Sequence, residues 1–264
     1  MSTFEVGRRW PPPKGGTWII DLDGVIWLSG EPIRGVDKAI SSLNRLGVRT
    51  VFVTNNSSLR HVDLVQRLAY CGIDGKGLDV LSSVDALAYL IRKGSRVLAI
   101  AGDGVYEALS TIEAQVVTEG AIDVVLIGWT RQFSYEHLTQ AMIAIRNGAR
   151  LIGTNQDPTY PTPNGLLPGT GSLLAAVATA SGVLPEIAGK PHEATVRMLR
   201  ERIEDIRLVV GDRPGTDGAL ASKLGVPYAL VLSGVTKESD VSNNPIPDVV
   251  AKDLAELVEM FARQ

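Results

Sequence analysis

The chain has 264 residues, 45% hydrophobic and 21% charged, with a formal net charge of -3. That balance argues against a disordered chain and gives no global field to draw in nucleic acid or an anionic membrane. No run of about 18 apolar residues marks a membrane span. The basic opening residues lead into prolines at 11–13 rather than an apolar stretch, so they read as an extended lead-in and not as a secretory signal. The lone cysteine, Cys71, cannot form an internal disulfide. It suits a reducing, cytoplasmic location and a packing role.

In chain order, the apolar run 18–20 is short and isoleucine-rich, as a buried strand is, and it ends at Asp21. Val36, Ile40 and Leu43 recur at helical spacing until Gly47, and a second strand spans 48–54. Strand, helix, strand in about 40 residues is a βαβ unit and implies a parallel sheet. The alternation continues with helices at 61–70 and 84–92, a strand at 97–101 and a helix at 105–114. Next come a strand at 124–127, a helix at 135–147 and a short strand at 151–152. Residues 154–170 carry Pro158, Pro161, Pro163 and Pro168, which predicts a long functional loop. Helices follow at 172–181 and 193–203, a strand at 207–210, a helix at 217–224, a strand at 228–232 and a closing helix at 254–261. There are more βα units than one ordinary sheet needs, so two α/β domains fit better. Periodicity alone does not locate their boundary.

Four polar islands fall at predicted strand ends. Asp21-Leu22-Asp23-Gly24-Val25 places two carboxylates two residues apart, on one side of an extended segment. Buried carboxylates repel unless a proton or a cation intervenes, and a hard, oxygen-seeking ion such as magnesium is the natural partner. Thr54-Asn55-Asn56-Ser57-Ser58 offers hydroxyl and amide donors to an anion; read by itself it serves equally as a helix cap. Lys190 lies between Gly189 and Pro191, where a compact ammonium would neutralise a phosphate oxygen. Gly211-Asp212 brings a second acid, with Asp217 five residues on, in a segment that a helix cap would also explain. Each island has an ordinary reading, but their shared placement at strand ends suits phosphoryl transfer.

These four segments, in this order, resemble the motifs of the haloacid dehalogenase superfamily. The Thr-Asn-Asn-Ser form, with Gly-Thr-Asn-x-Asp at 153–157 and Pro-Gly-Thr-Gly at 168–171, is similar to its NagD-type or 4-nitrophenylphosphatase-like branch. The resemblance runs from about residue 17 to about 257. It implies a Rossmann-like α/β core with a parallel sheet, formed by 1–82 and 184–264, and an inserted α/β cap domain at 83–183. It further implies a magnesium-dependent phosphatase acting on a small phosphorylated metabolite through a phosphoaspartate. Asp21 is then the nucleophile and Asp23 the acid and base. Thr54, Asn55 and Lys190 bind phosphate, and Asp21, Asp23 and Asp212 hold the metal. Gly24, Asn56 and Asp217 support them. Asn155, Asp157 and Tyr160 are the candidates for substrate choice, with Trp129 and Arg131 as the alternative. Pro214 and Gly215 depart from the usual fourth motif. Thr159-Tyr160 departs from the aromatic-histidine pair associated with pyridoxal phosphate. Glycerol phosphate, phosphoglycolate, nucleoside monophosphates, sugar phosphates and pyridoxal phosphate all stay open as substrates. A phosphotransferase or mutase, and a non-enzymatic binding module on the same fold, are the competing readings. Nucleic acid and membrane are not expected partners; the oligomeric state stays open, with a homodimer as the analogy from the family.

Overall fold

The computed structural model describes residues 9–28, 30–73, 79–162, 165–241 and 244–263. The first half of the expected lead-in, 1–8, lies outside them. The chain divides into two compact units. The first comprises 1–54, 64–81 and 199–264; the second comprises 55–63 and 82–198.

In the first unit the described residues form a six-stranded sheet. Its order is Val249–Ala251, Tyr228–Val231, Ile206–Gly211, Thr17–Ile20, Arg49–Thr54, Asp79–Ser82. The pairs from the first of these to Arg49–Thr54 are all parallel. Thr17–Ile20 therefore sits inside the sheet, and all four of its residues are buried. This explains why the segment reads as a continuous apolar run rather than an alternating one. Helix Val36–Arg45 buries Val36, Ala39, Ile40 and Leu43, and packs with helix Leu254–Ala262. The expected lead-in is tied down: Trp10 is buried against Phe261, with ring centroids 6.3 Å apart. Arg9 Nε and Nη2 donate to the two Asp248 carboxylate oxygens at 3.0 and 2.9 Å.

In the second unit a five-stranded parallel sheet has the order Glu186–Ile187, Arg150–Gly153, Val124–Ile127, Arg96–Ile100, Gln115–Val116. Its core gathers Leu98, Ile100, Val125 and Ile127 from the strands, Ala141 and Ile145 from helix Tyr135–Arg146, and Leu174 and Val177 from helix Thr170–Ser181. Two expectations change here. The proline-rich 154–170 segment holds an antiparallel ribbon, Thr159–Thr162 with Gly165–Pro168. Proline suits such a ribbon because an isolated pair of strands has no further neighbour needing its N–H. The expected helix at 84–92 shrinks to a single 3₁₀ turn, Asp85–Tyr89. Asp85 accepts hydrogen bonds from Ser82 N–H and Oγ at 2.7 and 3.0 Å, closing a tight turn at its start.

Candidate active site

In the first unit, strands Thr17–Ile20 and Ile206–Gly211 are adjacent and parallel, so the residues following them emerge side by side. Asp21 and Asp212 thus come together, and Asp217 joins them. A carboxylate oxygen from each of the three lies within 4.8 Å of the others. All three residues are buried. A buried, all-oxygen, multiply anionic set fits a hard divalent cation, and its like charges are costly without one.

The surrounding backbone is shaped to admit the acids. Gly24 has φ +88°, and a Cβ there would meet the Asp212 carboxylate. A Cβ on Gly234 would collide with the same group, and one on Gly211 would overlap the Asp217 carboxyl. Asp212 Oδ2 accepts from Val235 N–H at 2.6 Å. Asp217 Oδ2 accepts from Arg213 N–H at 3.2 Å. Asp217 lies on a π turn, Pro214–Gly218, rather than at the start of the expected helix; the α-helix begins at Ala219. This wide turn carries Asp217 back to face Gly211.

Asp23 is half-buried, two residues after Asp21, and its carboxylate is not one of the three grouped acids. Its Oδ1 accepts from Trp27 Nε1 at 3.0 Å, and its Oδ2 from Thr54 Oγ1 at 3.5 Å. Tyr228, fully buried, donates its hydroxyl to the Gly211 carbonyl at 3.4 Å. Burial pushes its phenol well above the ordinary range, and Asp217, Asp212 and Asp21 push it further.

In the second unit Asn55 is the hub. Its Nδ2 donates to Asp157 Oδ2 at 3.1 Å and to the Lys190 carbonyl at 3.2 Å, and its Oδ1 accepts from Lys190 N–H at 2.8 Å. The Asn55 carbonyl accepts from Asn155 Nδ2 at 2.7 Å and from Ser83 Oγ at 3.0 Å. Lys190 is buried, with 3% exposure. Close packing at Gly189 accounts for the glycine before Lys190: a Cβ there would press on the Asn55 amide and the Thr154 carbonyl. Asn56 Nδ2 lies 3.5 Å from the Tyr160 hydroxyl. Tyr160 stacks on Trp129 with ring centroids 4.5 Å apart, and Trp129 Nε1 donates to the Pro168 carbonyl at 3.1 Å. Arg131 is exposed.

Two family models match the chain. Haloacid dehalogenase-like hydrolase matches residues 18–115, and a HAD-hydrolase-like model matches 187–257. D-glycerol 3-phosphate phosphatase of Mycobacterium tuberculosis is 36% identical over 250 residues, covering 90% of this chain and 70% of its own. The chain belongs to the haloacid dehalogenase-like hydrolases. Dihydroxyacetone phosphatase of Corynebacterium glutamicum is 32% identical, covering 93% of this chain and 91% of its own. The solved glycerol phosphate phosphatase of M. tuberculosis in complex with magnesium superposes with a TM-score of 0.82 at 33% identity, covering 92% of this chain and 76% of that one.

Asp21 and Asp212 directly follow the strands Thr17–Ile20 and Ile206–Gly211, the kind of position the sequence expected for them. Trp27, Tyr228 and Gly234 were missed. Gly234 had a signal, since the Ser233-Gly234 pair follows a strand as Gly211-Asp212 does. Trp27 and Tyr228 had none, because a buried aromatic at a strand reads as core.

Proposed function

We propose that the chain is a magnesium-dependent phosphatase that hydrolyses a small phosphorylated metabolite through a phosphoaspartate on Asp21. The observation that carries this reading is the buried Asp21, Asp212 and Asp217 cluster at adjacent parallel strand ends, in a chain of a hydrolase family. A carboxylate needs no separate base to act as a nucleophile. Asp21 attacks phosphorus in line, its oxygen–phosphorus bond forming as the ester bond to the leaving alcohol breaks. Asp23 gives its proton to the leaving oxygen. It then takes a proton from the water that attacks the phosphoaspartate, which releases inorganic phosphate and restores Asp21. The Asp21 and Asp212 carboxylates and the Asp23 carbonyl would hold magnesium, with Asp217 supporting them. When bound, the ion supplies positive charge against the carboxylates and the phosphoryl oxygens. Thr54 and the Asn55 backbone bind phosphate oxygens, and Lys190 offsets their charge.

We assign 1–82 and 184–264 to the catalytic core and 83–183 to the cap. The two compact units support a two-part chain, although they group 55–63, Ser82 and 184–198 with the second part. Within the 154–170 segment Asn155 and Asp157 bond Asn55, while Tyr160 reaches Asn56 and packs on Trp129; of these we assign substrate choice chiefly to Tyr160. The relatives direct attention to three-carbon phosphates: one is named for D-glycerol 3-phosphate and one for dihydroxyacetone. The enzyme is read as cytoplasmic, in keeping with its lone cysteine, and as a homodimer by analogy with the family. Among the described residues no helix is long and apolar enough to cross a membrane.

The test is a panel of phosphorylated metabolites ranked by kcat/KM with and without magnesium. The reading expects phosphate release from phosphomonoesters that is lost on chelation, with three-carbon phosphates leading. Undiminished release after exhaustive metal removal would overturn the metal dependence.

A further inference from the structure

We propose that Trp27 is the positioning residue for Asp23, with its indole N–H fixing the orientation of the carboxyl that moves the proton. This rests on the reading of Asp23 as the acid and base.

Trp27 is fully buried, with 0% exposure. If filling space were its only task, Leu or Phe would serve without an N–H to satisfy. The first unit shows the contrast. Trp10 and Trp18 are also buried, and among the described residues neither Nε1 has a hydrogen-bond partner. Trp27 Nε1 donates to Asp23 Oδ1 at 3.0 Å, the ordinary length for a sound N–H···O bond. The Thr54 hydroxyl reaches the other oxygen at 3.5 Å, a weaker hold.

The backbone is folded to make the pair meet. Ile26 N–H and Trp27 N–H both donate to the Leu22 carbonyl, at 2.9 and 3.2 Å. Gly24 N–H donates to the Trp27 carbonyl at 2.7 Å, closing the loop from the other side. Gly24 permits this turn with its positive φ. The indole is fixed in its turn. The Arg67 guanidinium lies over the ring, 5.5 Å from the centroid. Arg67 belongs to helix His61–Tyr70, whose last residue donates its hydroxyl to Glu31 Oε2 at 3.3 Å. Glu31 sits on the strand that pairs with Trp27–Leu28, so one helix restrains both strands of this small ribbon. The half-buried Asp23 carboxyl thereby meets a donor held rigidly by the fold.

Orientation of a proton donor matters most when the leaving group is a poor one. An alkoxide leaving from an alkyl phosphate needs its proton during bond cleavage, whereas a 4-nitrophenolate scarcely does. A misplacement of about 1 Å costs on the order of 100-fold in rate. For Trp27→Phe, the ratio of kcat/KM on glycerol 3-phosphate to kcat/KM on 4-nitrophenyl phosphate should fall by about 10-fold or more. General damage to the fold would lower both values together and leave the ratio alone. Asp23→Asn, run beside it, separates the two claims. If Asp23→Asn leaves the ratio unchanged, the reading of Asp23 as the acid fails. If Asp23→Asn collapses the ratio and Trp27→Phe does not, the positioning role of Trp27 is overturned. A measurement on the full chain covers the case in which Trp27→Phe does not fold. Of the four tryptophans, one indole N–H resonance in a ¹⁵N-tryptophan-labelled sample should move upfield in Asp23→Asn relative to wild type. Four unmoved resonances would overturn the proposal.

Discussion

Replacing Asp212 by Asn should stabilise the metal-free protein while abolishing its stabilisation by magnesium. The three carboxylates lie within 4.8 Å of one another. At an effective dielectric of about 20, two unit charges at that distance repel by about 3.5 kcal/mol. Asp212 takes part in two such pairs, and relaxation and counterions leave a net gain of about 1–3 kcal/mol when it is neutralised. The amide is the same size as the acid, so the crowding by Gly24 and Gly234 is unchanged. Its oxygen still accepts from Val235 N–H. For a chain of this size, melting should rise by about 3–10 °C without metal. With wild type, magnesium at about 100 times its Kd adds about 2.7 kcal/mol. The variant, having lost a charged ligand, should show little of this. Thermal unfolding at low ionic strength, in chelator and in graded magnesium, measures both effects. A variant that melts lower than wild type in chelator and gains as much from magnesium would show that Asp212 neither repels its neighbours nor holds the ion.

Three further outcomes are expected. Asp21→Asn should lose essentially all turnover of 4-nitrophenyl phosphate while keeping its circular dichroism, because an amide is a far poorer nucleophile; near wild-type rates would rule out the covalent route. Tyr228 holds its proton above the ordinary value of 10.0, so the folded state binds more protons than the unfolded one once pH exceeds about 10, and stability falls as pH rises further. Tyr228→Phe should remove that part of the alkaline loss, which denaturant titrations between about pH 9 and 11 would reveal; parallel curves for the two proteins would contradict it. Tyr160→Ala should reorder the metabolite ranking and barely alter turnover of acetyl phosphate, whereas a uniform loss on every substrate would assign Tyr160 to structure alone.

The parallel sheets were legible because buried strands leave unbroken apolar runs, as at 18–20, 51–53 and 124–127. The acids at their ends stood out because charge at the end of a buried strand demands a reason. Short pieces were not legible. The ribbon at Trp27–Leu28 and Glu31–Pro32 and the edge strand Gln115–Val116 have two residues per strand, too few for any period to show. Prolines that announced a loop at 154–170 concealed a ribbon, because Pro161 and Pro168 sit where, among the described residues, no further strand pairs. The π turn at Pro214–Gly218 looked like a helix start, since Thr216 and Asp217 are ordinary capping residues. Only the tertiary approach of Asp217 to Gly211 distinguishes the two. Trp27 and Tyr228 share one difficulty: a buried aromatic shows its polar atom to the site only once the fold is known.

A phosphoaspartate on Asp21 can be caught by chemical trapping. Enzyme mixed with magnesium and substrate is quenched with borohydride, which reduces an acyl phosphate to the alcohol, and the peptides are read by mass spectrometry. Homoserine is expected at residue 21, formed only when substrate and magnesium are both present and absent in Asp21→Asn. An unmodified Asp21 during rapid turnover, or a reduced carboxyl at any other position, would contradict it.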